Sequence, residues 1–450
     1  MSAATAAPGR PPDSGHARVT CFAAGRVVTC DPARATAADP LGVIERGAIA
    51  VHGGALAAVG AEAELRAAFP DADWQSFPEA VLTPGLVDAH THAAWAGSRD
   101  MEYALRMAGA DYEAIAKAGG GIVASMRAIR EIDAAHLSAV LHARLRRMAR
   151  MGVTTVEVKS GYGLDEAGEI KQLEVIAAAR REAIPRDAGQ SLPRDGGQSS
   201  PNDRGQSLPR VVPTFLGLHA LPPEAKGDRD AYAKHVTDRV LSIVAERGLA
   251  AFVDAYVDRS AFSVAQARPF LEKARALGLG ARVHAGQFAD VGGAELAADV
   301  DAASADHLEI VGPQGIARLA EAGVRAVLLP VASFTLRQDP PPVAALRAAG
   351  VPLVVASDAN PGTAPTESLP LAMALAVRMY GLTVAEALLG ATREAAASLG
   401  LAGTTGALRP GLAADFVVWD HPHENAIVQP WGVFRTHLVH TSNGVLFEEE

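Results

Sequence analysis

The chain has 450 residues, of which 49% are hydrophobic and 20% are charged, the balance of a soluble globular protein that can bury a large core. Its 41 basic and 51 acidic residues give a net charge of −10, which argues against binding to nucleic acid or to an anionic membrane surface. The two cysteines, Cys21 and Cys30, argue against a disulfide framework. With no apolar stretch of about 18 residues to span a membrane, we expect a cytoplasmic protein.

The amino-terminal part begins with a polar tail and continues with short β-strands. Residues 1–17 are rich in Ala, Pro and Gly and lack the apolar segment of a signal peptide, so we predict that they are disordered. Two apolar runs follow, at residues 48–51 and 55–59, on either side of Gly53 and Gly54. Two such runs around a glycine pair are typical of a β-hairpin.

The carboxyl-terminal part has a similar strand-rich pattern. Residues 414–420 and 433–447 are apolar and β-branched, as strands are. Because strand-rich segments at both ends enclose a different pattern, we predict one small β-sandwich domain built from residues 18–82 and 401–450.

Between these ends, residues 83–400 alternate strand-like and helix-like segments. Alanine-rich helical stretches, such as residues 134–150, lie between most of the strand candidates. Eight β–α units over roughly 300 residues predict an α/β fold, a TIM-type (β/α)8 barrel. The eight strand candidates are residues 83–89, 153–159, 211–218, 251–257, 281–285, 300–305, 326–329 and 351–357.

A polar insert at residues 185–210 interrupts the alternation. It consists of three tandem eight-residue units rich in Gly, Pro, Ser and Gln, followed by Pro209 and Arg210. Such a composition cannot bury enough apolar surface to offset its ordering entropy, which predicts a disordered loop. Because it precedes the third strand, it belongs on the face of the barrel opposite an active site. It is either a neutral repeat expansion or a segment that binds a partner.

The strongest chemical signal is a pair of histidines, His90 and His92, at the end of the first barrel strand. Alternate side chains of a strand point to the same side, so both imidazoles can bind one metal ion. The carboxyl end of such a strand is where a barrel enzyme holds its catalytic groups. The alternative, two histidines that only pack, is weakened by the rest of the chain.

Four other strand candidates also end in a histidine or an aspartate. These residues would converge at the same mouth of the barrel and suit a borderline ion such as zinc or ferrous iron. A metal-activated water, a carboxylate that takes its proton and an imidazole that polarises a carbonyl together suit hydrolysis of a C–N bond. The four residues are His219, His284, His307 and Asp358.

Short motifs add a resemblance to a known family. They are GSR at 97–99, GGGI at 119–122, KSGYGL at 159–164, SADHL at 304–308, NPGTAPT at 360–366 and SLPLAM at 368–373. With these motifs and its histidine pattern, the chain resembles the amidohydrolase superfamily and, within it, the imidazolonepropionase family. The resemblance covers about residues 82–400 and the sheet-forming ends, without the insert. It implies hydrolysis of 4-imidazolone-5-propanoate to N-formimidoyl-L-glutamate in histidine degradation, by a protein that can be a homodimer.

The resemblance also implies roles for individual residues. It assigns one metal ion, zinc or iron, to His90, His92, His284 and Asp358, and it assigns polarisation of the ring carbonyl to His307. Arg99 would bind the propionate, for which a planar guanidinium is suited. The other substrate- or product-binding residues it implies are Tyr162, His219, Gln287, Asn360, Gly362 and Thr363.

Two positions depart from common patterns of the superfamily. Gln287 stands where some relatives carry glutamate, and because glutamine cannot act as a base, Asp358 or His307 must take the proton. Lys159 lies on the second strand, whereas relatives with two metal ions usually take a bridging lysine from the fourth. We therefore expect one ion.

Two other functions remain open from the sequence. An amidohydrolase that releases ammonia from a nucleobase would share the metal ligands, although Arg99, Tyr162 and residues 360–366 favour a substrate with a carboxylate. A barrel without metal, retained for assembly or binding, is the alternative from another class. The presence of every expected metal-ligating residue argues against this metal-free alternative.

Overall fold

The computed structural model describes residues 18–109, 120–183, 208–429, 431–433 and 435–449. The strands are β1 Thr20–Val28, β2 Val43–His52, β3 Ala55–Ala61, β4 Asp73–Pro84, β5 Leu86–Asp88, β6 Val153–Lys159, β7 Arg210–Leu218, β8 Phe252–Val257, β9 Gly280–Ala285, β10 Ser304–His307, β11 Arg325–Leu328, β12 Leu353–Val355, β13 Phe416–Trp419, β14 Thr436–Thr441 and β15 Gly444–Glu448. The α-helices are Glu62–Ala68, Asp100–Met107, Ile122–Glu131, Ala134–Arg150, Glu166–Glu182, Arg229–His235, Leu241–Glu246, Val264–Ala276, Gly293–Asp299, Pro313–Ala322, Pro330–Leu336, Val343–Ala348, Leu369–Tyr380, Val384–Gly390 and Arg393–Ser398. A π-helical turn covers Val236–Val240, and 3₁₀ turns cover Pro223–Ala225 and Glu424–Ile427.

Both ends of the chain contribute to one seven-stranded sheet. Its strand order is β15-β14-β13-β4-β1-β2-β3, in which only the β1–β4 pair is parallel. One apolar cluster contains Phe22, Leu82 and Phe416, and another contains Cys21 and Leu65. The alternation of Cys21 and Phe22 between the two clusters reflects the two-residue period of a strand, so both faces of the sheet are covered.

The remaining eight strands form the parallel barrel, in the sequential order β5 to β12. The first and last strands meet just beyond their ends, where Thr91 and Ala359 form a parallel bridge. The His90 carbonyl accepts from the Asp358 N–H at 3.0 Å, and the Ala359 carbonyl accepts from the His92 N–H at 3.0 Å. Closure of the barrel therefore brings the segment after β5 beside the segment after β12.

The predicted barrel and a separate β-domain built from both chain ends are confirmed. The strands of the predicted β-sandwich hydrogen-bond in one seven-stranded sheet, and the predicted hairpin is β2 and β3. The first predicted barrel strand, 83–89, is wrong in its bounds because the chain changes sheets at Gly85. A Cβ on Gly85 would lie 2.7 Å from the Cβ of Thr154, so only glycine fits at this crossing. The sixth predicted strand, 300–305, begins too early, since residues 300–303 follow a helix that ends at Asp299.

Residues 1–17 and nearly all of the insert lie outside the described residues, so the disorder predicted for them is untested. Among the described helices, none is both long and apolar enough to cross a bilayer.

Candidate metal centre and active site

Three buried histidines meet at the carboxyl end of the barrel. His90 and His92 follow β5, and His284 lies near the end of β9. Each offers one ring nitrogen, and these nitrogens lie within 4.8 Å of one another. Asp358 adds a carboxylate: its Oδ1 is 3.5 Å from Nε2 of His90 and 3.5 Å from Nε2 of His92. The four ligand candidates from the sequence are therefore brought together.

The hydrogen bonds of His90 and His284 use Nδ1 of each ring and leave Nε2 available for a metal ion. Nδ1 of His90 lies 2.6 Å from Oδ2 of Asp306, and Nδ1 of His284 lies 3.0 Å from Oδ1 of Asp254. Within the described residues, Nε2 of both histidines is buried without a hydrogen-bond partner. A carboxylate on one ring nitrogen and a free lone pair on the other are typical of metal-binding histidines. These residues thus fit a divalent ion.

The electrostatics of the site agree with this fit. Burial lowers the pKa of His90, His92 and His284 well below the ordinary value, so the three imidazoles are neutral at pH 7. Burial also raises the pKa of Asp358 to about 7. A bound cation favours the ionised carboxylate. Neutral imidazoles and a carboxylate are the ligand types that zinc and iron accept.

His307 is held at the same mouth by a different carboxylate. Its ring centroid is 5.4 Å from that of His284, and its Nδ1 is 3.5 Å from Oε2 of Glu309. Burial alone would lower the pKa of His307, but the carboxylates of Glu309, Asp358 and Asp306 together raise it. The Ser333 hydroxyl donates to the other oxygen of Glu309 at 2.7 Å, which fixes that carboxylate.

The backbone is strained at the two residues predicted to be catalytic. His307 has φ 80° and Asp358 has φ 55°, both in the left-handed region that non-glycine residues rarely adopt. Such conformations persist only where the surrounding structure enforces them, and they concentrate at functional sites.

Asn360 organises the loop that follows Asp358. Its Oδ1 accepts from the N–H groups of Gly362 and Thr363, both at 2.8 Å, and its Nδ2 donates to the Asp358 carbonyl at 2.7 Å. The amide of Asn360 is thus largely occupied in shaping the loop. Its main effect on a ligand would be to place the backbone of Gly362 and Thr363.

Arg99 lies beside this loop, and its charge is already paired. Its Nε donates to Oε2 of Glu102 at 2.8 Å and its Nη2 donates to Oε1. Glu102 also accepts from Nη2 of Arg106 at 2.8 Å, and Nη1 of Arg106 donates to the Gly362 carbonyl at 2.8 Å. The fork expected for a substrate carboxylate is therefore made with Glu102. Among the residues that the structure describes, Nη1 of Arg99 has no hydrogen-bond partner, so a ligand can bind there.

Gly362→Ala is expected to raise the KM for a substrate with a carboxylate by about tenfold. This is the effect of losing one hydrogen bond to a charged group. A Cβ on Gly362 would lie 2.7 Å from Cζ of Arg99, so the guanidinium must shift away from the loop. Steady-state kinetics of Gly362→Ala and of Gly403→Ala provide the test, since a Cβ on Gly403 meets nothing within 4 Å. Equal KM values for the two variants would show that the position of Arg99 does not matter.

Tyr162 and His219 line the same mouth from β6 and β7. The imidazole of His219 stacks on that of His92 at 5.3 Å, and the Tyr162 ring is 5.5 Å from His219. The Gly161 carbonyl lies 2.7 Å from Nδ1 of His219. Because a carbonyl only accepts, Nδ1 carries the proton and Nε2 is left as an acceptor.

Gln287 is tied to Tyr256, whose hydroxyl donates to its Oε1 at 2.7 Å. The amide NH₂ of Gln287 is then the group that can donate to a ligand. Gln287 is buried near the end of β9. All residues named as site candidates from the sequence are thus found at the carboxyl mouth of the barrel or in the loops above it.

The sequence reasoning missed the carboxylates that support these residues, Asp254, Asp306, Glu309 and Glu102. A signal was present for Asp254, which interrupts the apolar strand β8, because a charged residue inside a buried strand requires a partner. Asp306 directly precedes His307 in the same way. For Glu102 the signal was its spacing, three residues after Arg99 and four before Arg106, which are the distances at which helical side chains pair.

An eight-stranded parallel barrel with imidazoles and a carboxylate at its carboxyl mouth is the architecture of a metal-dependent hydrolase. The sequence pattern of the Amidohydrolase family matches residues 109–431. An imidazolonepropionase of Ralstonia nicotianae is 46% identical over 392 residues, which cover 86% of this chain and 90% of the relative. One of Caulobacter vibrioides is 43% identical over 396 residues, 88% of this chain and 92% of the relative.

Among solved structures, an adenosine deaminase from Xanthomonas campestris with bound zinc matches with a TM-score of 0.67. It is 19% identical, and the match covers 95% of this chain and 92% of that one, so it supports the fold alone. The chain belongs to the amidohydrolase family and, within it, to the imidazolonepropionases.

Proposed function

We propose that the protein hydrolyses the ring C–N bond of 4-imidazolone-5-propanoate and releases N-formimidoyl-L-glutamate. The proposal is carried by one observation: the loop that follows Asp358, a candidate metal ligand, also contacts Arg99, the candidate for binding the substrate carboxylate. Asp358 leads directly into the loop whose Gly362 lies against Arg99. A substrate whose propionate meets Arg99 therefore has its ring near Asp358 and the histidines.

In this proposal His90, His92, His284 and Asp358 hold one ion, zinc or iron. When bound, the ion lowers the pKa of a water towards about 7, which makes hydroxide available at neutral pH. Asp358 provides a carboxylate beside His90 and His92 that can take the proton of the attacking water. Gln287 can only orient groups by hydrogen bonds.

The polarising group in this proposal is His307. Its imidazole, whose Nδ1 lies 3.5 Å from Oε2 of Glu309, can donate to the ring carbonyl and stabilise the charge that develops there. The water oxygen bonds to the carbonyl carbon, the adjacent ring C–N bond breaks, and the released nitrogen takes the proton. Both ring nitrogens stay in the product, and no ammonia leaves.

The remaining contacts select the substrate. Arg99 offers its Nη1 edge to the propionate, while Glu102 holds the rest of the guanidinium in place. Tyr162 and His219 contact the ring. Oδ1 of Asn360 accepts from the N–H groups of Gly362 and Thr363, and it thereby holds the loop that lines the pocket for substrate or product.

The test is product identification with freshly generated 4-imidazolone-5-propanoate, followed by its ultraviolet absorbance and by mass spectrometry, with a control without enzyme. We expect N-formimidoyl-L-glutamate and no ammonia. Absence of turnover by folded, metal-loaded protein, together with ammonia release from a nucleobase or another heterocyclic amine, would assign the chain to a deaminating function instead.

A further inference from the structure

A fully buried lysine lies in the barrel below the metal centre. Lys159 ends β6, and its Nζ is 2.9 Å from Oε1 of Glu157, 2.9 Å from Oδ2 of Asp254 and 3.9 Å from Oδ2 of Asp306. Burial alone would lower the pKa of Lys159, but the carboxylates of Asp254 and Glu157 raise it, so the ammonium is charged. A buried charge is tolerated only with such partners.

Two of the three carboxylates around Lys159 also hold candidate metal ligands. Asp254 binds Nδ1 of His284 at 3.0 Å, and Asp306 binds Nδ1 of His90 at 2.6 Å. The Lys159 ammonium is thus connected to His284 through Asp254 and to His90 through Asp306. His90 follows β5, and His284 lies in β9. Arg282 assists only partly, since its Nη2 is 3.5 Å from Asp306.

The same strand also anchors the segment that carries the histidine pair. The Lys159 N–H donates to the Thr91 carbonyl at 2.9 Å, and the Thr91 hydroxyl donates to the Glu157 carbonyl at 2.7 Å. The Thr91 N–H donates to Oε2 of Glu157 at 3.1 Å. Because Thr91 lies between His90 and His92, the end of β6 fixes the backbone of both.

We propose that Lys159 is a positioning residue of the metal centre. Its ammonium holds the Asp254 and Asp306 carboxylates in place and thereby orients the imidazoles of His284 and His90 towards one ion. Asp254, His284 and Asp306 also have the spacing of a cation site, and Lys159 already supplies the positive charge there. The proposal rests on the proposed function, which assigns the ion to these histidines.

Lys159→Met removes the charge and keeps a side chain of similar length. Competition with a chromophoric chelator, performed on the full chain, is expected to give 10–100-fold weaker zinc binding, the usual effect of losing a partner behind a metal ligand. The cobalt-substituted variant is expected to show a changed visible absorption spectrum, because the two imidazoles are no longer held. Circular dichroism reports whether the fold persists.

The matched control is Arg26→Met, which breaks a partly buried ion pair at 2.8 Å between β1 of the seven-stranded sheet and Glu424 of a 3₁₀ turn. It is expected to lower the melting temperature and leave the zinc affinity and the cobalt spectrum unchanged. If Lys159→Met does not fold, the double variant Glu157→Gln/Lys159→Met removes both charges of one pair, and glutamine still accepts from Thr91. The same weaker zinc binding is expected.

Wild-type zinc affinity and an unchanged cobalt spectrum in either folded Lys159 variant would overturn the proposal. A wild-type protein that binds no zinc or iron would instead overturn the proposed metal centre, and with it the role of Lys159. The two failures are distinguished by the wild-type measurement alone.

Discussion

Asp358→Asn is expected to lower kcat/KM for 4-imidazolone-5-propanoate by about 10³-fold, within the range for loss of an acid–base group. Oδ1 of Asp358 is 3.5 Å from the Nε2 atoms of both His90 and His92, and the proposal assigns this one carboxylate both roles, metal ligand and proton acceptor. Asparagine keeps the shape of the side chain but has no charge and no basic oxygen. Initial rates and metal content of the purified variant are the measurement.

The matched control is Asp415→Asn, another buried carboxylate. Asp415 accepts from the Ser442 N–H at 2.9 Å in the seven-stranded sheet, away from the barrel mouth. We expect it to lose stability and to keep its kcat/KM. An Asp358→Asn variant that binds one metal ion and turns over at the wild-type rate would remove Asp358 from the mechanism.

Arg99→Lys is the second large effect, an increase in KM of about 10²-fold, within the range for losing a hydrogen bond between charged groups. The guanidinium donates to both oxygens of Glu102 and still presents Nη1, whereas an ammonium cannot hold Glu102 in a fork and meet a propionate from the same side. Because the propionate lies away from the bond that breaks, kcat should change less than KM.

The control for Arg99→Lys is Arg347→Lys. Arg347 forms a comparable fork with Glu386, at 2.6 and 3.0 Å, between two helices on the outside of the barrel. Its replacement is expected to leave both kinetic constants unchanged. A fall in kcat alone for Arg99→Lys, with KM unaltered, would contradict a role in binding the substrate carboxylate.

The spacing of apolar residues predicted strands and helices correctly where the local preference of a segment agrees with its place in the folded chain. Strand β6 and the helix Ala134–Arg150 have the predicted bounds, because each is bordered by residues that end its own pattern. The first barrel strand was misjudged because apolar residues continue through Gly85, where the chain changes from one sheet to the other. Glycine is required at this crossing because of Thr154, which is distant in sequence.

Those residues of the candidate site that lie at the ends of barrel strands could be predicted from the sequence. His90, His92, His284 and Asp358 stand at such ends, and the rule that these ends share one mouth brings them together. The pairing of Lys159 with Asp254 depends on a three-dimensional distance that no spacing encodes, whereas that of Arg99 with Glu102 has the i,i+3 spacing of a helix. The roles of these residues remain proposals.

Several features expected from the sequence stay predictions. The homodimer and the absence of nucleic-acid and membrane partners stay predictions. The boundaries 18–82, 83–400 and 401–450 stay predictions, although β4 continues to Pro84 as part of the seven-stranded sheet.

The most direct test of the central claim is a metal titration of metal-free protein, with turnover of 4-imidazolone-5-propanoate as the readout. Without metal we expect no turnover. Added zinc, or ferrous iron in a parallel series, should restore turnover linearly up to a plateau at one ion per chain. Full turnover by protein verified to be metal-free, or a plateau reached only at two ions, would contradict a single ion held by His90, His92, His284 and Asp358.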